Sequence, residues 1–119
     1  MDKEELKERT MRFALAVLEL VDELPRTQKG RVVTFQLVKA ATSVGANYRA
    51  ACRARSKAEY LSKLQTVLEE ADESHFWLDL IGRSQLMPEQ RVKSTLAEAN
   101  ELTAIFNSTL HRLRNQGEE

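Results

Sequence analysis

KAATSVGANYRAACRARS, residues 39–56, combines two properties that one helix seldom carries together. Ala40, Ala41, Thr42, Ser43, Gly45 and Ala46 keep the segment slim, while Lys39, Arg49, Arg53 and Arg55 make it basic with no acid to balance them. Val33, Leu37, Ala41, Val44, Tyr48 and Cys52 recur every three or four residues, which predicts a helix from about Val32 to Ala54 with one apolar side. Lys39, Ser43, Ala46, Arg49 and Arg53 fall on its polar side. Slim side chains let another helix backbone approach. Close packing is the compensation expected for Gly45, which costs about 1 kcal/mol of helix propensity against alanine.

Outward from this segment the pattern stays helical. Asp2 and Glu5 form a capping box that opens a first helix, in which Leu6, Phe13, Val17, Leu20, Val21 and Leu24 share one side before Pro25 ends the run. PRTQKG, residues 25–30, reads as the first loop, closed by Gly30. Ser56 and Glu59 cap a third helix whose inner stripe is Tyr60, Leu64, Val67, Ala71, His75 and Leu78, fading near Gly82 to Gln85. Pro88 suits the first turn of a fourth helix, where its missing N–H costs nothing. Val92, Leu96, Ala99, Leu102, Phe106, Leu110 and Leu113 then make a single stripe. Short connections place neighbours antiparallel, so the expectation is an all-α, up-down four-helix bundle spanning residues 1–119 as one domain.

Two helices carry more apolar surface than one core needs. Met11, Leu15 and Leu18 form a second stripe on the first helix. In HFWLDLI, residues 75–81, Phe76, Trp77, Leu80 and Ile81 point outward on the third. Patches of this size usually mark interfaces, and homo-oligomers are their commonest users. These seven residues are the expected oligomer interface.

The net charge is zero, yet the charges are segregated. Residues 1–24 hold four cations and seven acids, residues 25–58 hold eight cations and no acid, and residues 59–119 hold six cations and eleven acids. A neutral total therefore does not exclude an anionic partner. Two readings of the basic segment stay open. Arg49 and Arg53 can pair with Glu69, Glu70, Asp72 and Glu73 on the third helix, within or between subunits. Otherwise Lys39, Arg49, Arg53, Arg55 and Lys57 can contact RNA or DNA phosphates, non-specifically and with strong salt dependence.

Catalytic chemistry is not expected. There is no Gly-rich phosphate loop, Cys-x-x-Cys, His-Glu-x-x-His or nucleophile elbow. Asp72 and His75 form one Asp-x-x-His, but the second helix of a di-iron site has no counterpart, since His111 lacks an acid at the matching offset. His75 then reads as a packed histidine, and no metal or cofactor is expected. Cys52, the one cysteine, reads as a small core residue. No apolar run approaches the roughly 20 residues needed to span a bilayer. The polar, acidic N-terminus does not suit a signal peptide, so the expected location is cytoplasmic, with no membrane partner.

TSVGANYRAACRARSKAEYLSKL (42–64) and EEADESHFWLDLI (69–81), with Leu24-Pro25 and Lys29-Gly30 before them, resemble the four-helix bundle family encoded in intervening sequences of bacterial 23S ribosomal RNA genes. The resemblance covers roughly residues 10–110, and Thr42 to Arg49 is its most specific part. Members are similar to the accessory protein of diversity-generating retroelements, a pentameric barrel that binds nucleic acid with its reverse transcriptase. The resemblance therefore implies a homopentamer of four-helix subunits without established enzymatic activity. The retroelement branch is strongly basic, and this chain departs from it in being neutral. Nucleic-acid contact would then rest on the second helix and its flanks.

Overall fold

A computed structural model describes residues 1–116, which form four helices: α1 (Lys3–Val21), α2 (Gln28–Cys52), α3 (Lys57–Arg83) and α4 (Glu89–Gln116). There is no strand among the described residues. The helices lie along a shape of 51 × 23 × 21 Å. Contacts join α1 to α2, α2 to α3, α3 to α4 and α4 to α1, so each helix occupies a corner of a four-helix bundle. α1 packs less against α4 than any other neighbouring pair does.

Local chemistry sets the helix starts. The Asp2 carboxylate accepts from the Glu5 N–H at 2.8 Å, and the Ser56 hydroxyl accepts from the Glu59 N–H at 3.1 Å. Thr27 is the cap that the sequence reading passed over: its Oγ1 accepts from the Gly30 N–H at 3.2 Å. α2 therefore begins at Gln28, well before Val32, and Gly30 belongs to its first turn instead of closing a loop. A Cβ at Gly30 would overlap the Pro25 carbonyl oxygen, so the missing side chain is what lets the turn fold back over α2. At the far end of α3, Gln85 adopts φ 58° and ends the helix in the left-handed conformation usual for that position.

The core follows the expected stripes except on α3, where Ser74 and Ile81 take buried positions while Tyr60 and His75 are half-buried. Val17, Leu20, Leu37, Val44, Leu64, Leu78 and Leu102 are completely buried. Tyr48 lies among them with its ring 5.4 Å from that of Phe106. Thr10 and Ser74 are also buried, and each hydroxyl donates to the carbonyl four residues back, Leu6 at 2.9 Å and Glu70 at 2.8 Å. That local bond lets a hydroxyl enter an apolar core without an unmet partner.

The slim stretch of α2 faces α1. A Cβ built on Gly45 would lie 3.4 Å from Thr10 Oγ1, an ordinary contact distance. The space at Gly45 thus accepts a methyl group. The expected close approach of a second helix is present, and that helix is α1.

Candidate interaction surface

Met11, Leu15 and Leu18 stand exposed on α1 at 45%, 54% and 43%, as their spacing suggested. Phe76 is exposed on α3, while Trp77 and Leu80 are half-buried against the core. Ile81 was expected to face outward and does not: it is completely buried. It follows Leu78 by three residues and Ser74 by seven, which places it on the inner stripe and not with Phe76.

The sequence reading missed Val32 and Phe35, exposed at 54% and 65% on α2. The signal was available, because an i, i+3 apolar pair sits beside the Val33–Leu37 stripe. Five of the exposed large apolar side chains thus lie on α1 and α2, one lies on α3, and α4 has none.

Recesses between α1 and α2 connect this surface to charge. At one end, Glu4, Glu8 and Met11 of α1 share a recess with Arg49 and Arg53. At the other, an open cleft of about 600 Å³ runs between the end of α1 and the first half of α2. Leu24, Phe35 and Val38 give it an apolar floor, with Arg26, Arg31 and Lys39 along it.

All eight cations of the 25–58 segment are exposed: Arg26, Lys29, Arg31, Lys39, Arg49, Arg53, Arg55 and Lys57. None forms an ion pair with a described residue. Arg49 and Arg53 do not reach the α3 acids of their own chain and lie beside the acids of α1 instead. Lys39 is the cation whose field reaches Glu70. The cations also gather at two ends. Arg31 and Arg49 are separated by about 27 Å of helix at 1.5 Å per residue, with Lys39 between them.

The acids of α3 repel one another. Burial raises the carboxyl pKa of Glu70 most, Glu73 and Glu69 raise it further, and Lys39 only partly offsets this. Asp72 and Glu73 are exposed and make no ion pair among the described residues. Asp72 and His75 sit on this helix too, the acid exposed and the imidazole half-buried. No group of three metal-ligating side chains converges among the described residues. Cys52 is half-buried next to Tyr48, a less enclosed position than the core place expected for it. No helix among the described residues is long and apolar enough to cross a membrane.

This is an all-α four-helix bundle whose distinguishing surface is an apolar face edged by unpaired charge. The chain belongs to the 23S rRNA-intervening sequence protein family, whose family model matches residues 2–108. It is similar to a protein of unknown function from the S23 ribosomal protein family of Bacteroides thetaiotaomicron VPI-5482. That crystal structure superimposes with a TM-score of 0.80 and 31% sequence identity, over 87% of this chain and 96% of that one. No curated protein matches the chain.

Proposed function

We propose that the chain is a non-enzymatic subunit of a cytoplasmic homo-oligomer that serves as a scaffold or nucleic-acid-binding accessory. The observation that carries this reading is the exposed apolar surface of α1 and α2: Met11, Leu15, Leu18 and Phe35, with Val32 on the α3 side of α2, lie exposed in a subunit whose 25–58 cations are unpaired. Large apolar side chains left in water in this number usually mark a surface that a partner covers. Five copies is the number supported by the resemblance to the retroelement accessory protein.

The subunit in this reading is an antiparallel up-down bundle. Arg9, early in α1, meets Glu98 and Glu101, whereas Glu23, just past the end of α1, meets Arg91 near the start of α4. Gln65, early in α3, meets Arg114, late in α4. Both pairings run in opposite chain directions.

The nucleic-acid part rests on the cations around the α2–α3 turn, Arg53, Arg55 and Lys57, with Arg49 a turn before. They offer contacts to phosphates and no element that reads base edges. Titration with fluorescent RNA and DNA at low and moderate salt tests this. Binding that weakens steeply with salt, and that is lost in Arg53→Glu/Arg55→Glu while the oligomer persists, supports a phosphate-binding surface. No binding at low salt leaves a protein–protein adaptor. Light scattering after size exclusion tests assembly, and a monomer at micromolar concentration overturns it.

A further inference from the structure

Building on the self-assembly reading, we infer that the contact between subunits is head-to-tail: the acid-flanked Phe76 of one copy seats in the α1–α2 cleft of the next. The two surfaces complement each other in shape and charge. Phe76 is 56% exposed and stands directly opposite the buried stripe of α3. Asp72 and Glu73 precede it by four and three residues, so both carboxylates lie beside its ring on the helix surface. The ring is already held in place. Trp77 packs against it edge to face at 5.1 Å, and the Trp77 indole N–H donates to Glu73 at 3.4 Å. A preformed knob loses little freedom on docking.

The cleft supplies the reverse. Leu24, Phe35 and Val38 make an apolar floor, and its volume of about 600 Å³ accommodates a phenyl ring. Arg26, Arg31 and Lys39 are exposed along it without ion pairs, and Asp22 is its one acid. Within one chain these cations, and Asp72 and Glu73, form no ion pair with a described residue. In a second copy they become partners, and complementary charge then fixes the pairing as well as its rate.

The geometry also selects the symmetry. The cleft lies between α1 and α2, whereas Phe76 projects from α3, so the two patches face different directions and the contact is heterologous. A second groove lined by Val32, Val33, Trp77 and Leu80 puts the Phe76 turn at the level of the first turns of α2. Knob and cleft thus sit at the same height along the bundle. Successive copies need no axial shift, which favours closure into a ring over growth of a filament.

Two single variants test this, each on an exposed residue outside the core. Phe76→Gln removes the knob and keeps the cleft, while Phe35→Gln does the reverse. Each alone is expected to sediment at the monomer mass of 13.6 kDa with its helical circular dichroism retained. Mixed in equal amounts, they keep one productive contact and should form a one-to-one heterodimer of twice that mass and nothing larger. Monomeric mixtures, or single variants that assemble like wild type, overturn the head-to-tail contact while wild-type assembly stands. A monomeric wild type overturns the self-assembly reading itself. If either glutamine variant loses its helical signal, Arg31→Glu/Lys39→Glu mixed with Asp72→Lys/Glu73→Lys replaces the pair. There each parent repels itself but complements the other at both contacts, so assembly that appears only on mixing supports the contact and monomeric mixtures overturn it.

Discussion

Arg9 on α1 holds Glu98 on α4 with both arms of its guanidinium: Nε donates to Oε2 at 2.8 Å and Nη2 to Oε1 at 2.7 Å. Nη2 also reaches Glu101 at 2.6 Å. The hydrogen bond to Glu98, strengthened by both carboxylate charges, raises the Arg9 pKa and keeps the guanidinium charged. Arg91 makes a second fork to Glu23 on the same side of the bundle. Among the described residues every ion pair between elements therefore lies on the α1–α4 seam, where packing is thinnest.

Arg9→Met should destabilise the fold by about 2 kcal/mol, because it strips a partly buried, doubly bonded carboxylate of its partner. Urea unfolding measures this directly. A double-mutant cycle with Glu98→Gln should return a clear coupling energy, and additive effects of the two changes would show the fork to be inert.

Gly45 is predicted to tolerate one carbon and resist more. Gly45→Ala should stabilise by up to about 1 kcal/mol through helix propensity, since its Cβ would meet Thr10 at an ordinary distance. Gly45→Leu should push α1 off α2 and cost about 1–3 kcal/mol. Thermal melts of the two variants should move in opposite directions.

Gly30 should behave differently from Gly45. Alanine there meets the rigid Pro25 carbonyl, so Gly30→Ala should destabilise by about 1–3 kcal/mol despite its better helix propensity. A melting temperature at or above wild type would show that the turn can relax at no cost.

Alkaline unfolding should depend on Tyr48. Burial, and then the adjacent Cys52 thiol, push its pKa well above the ordinary tyrosine value of 10.0. A phenol with a raised folded pKa stabilises fully below its unfolded pKa, and that contribution is lost as pH rises through the folded value. Stability should therefore fall above about pH 10. Tyr48→Phe should reduce that fall, leaving the smaller part due to Tyr60, whose pKa burial also raises. Denaturant midpoints measured from pH 8 to 11 test the sign.

The helices were legible because their causes are local. Asp2–Glu5 and Ser56–Glu59 cap within one turn, and the stripes through Val17, Val44, Leu64 and Phe106 repeat at a fixed period. Ile81 was misplaced where the stripe of α3 drifts near its end and an aromatic cluster mimics an outward face. Phe35 lies four residues from both Arg31 and Lys39, so it breaks no stripe, and its one i, i+3 pairing with Val32 is too short to show a period. The Arg9 fork spans 89 residues of sequence and leaves no periodic trace. The same distance problem governs Arg49 and Arg53: within one chain, packing sets them beside Glu4 and Glu8 of α1 and not beside the α3 acids.

α4 has no fully exposed large apolar side chain, only Leu96, Ile105 and Leu113 half-buried at its edges. When α1, α2 and α3 are turned toward neighbouring copies, α4 becomes the outer skin of the assembly. Ser108 is exposed there, two turns short of its end, and makes a convenient attachment point for a dye or spin label. A probe placed on that skin can watch subunits join and part without standing in their way.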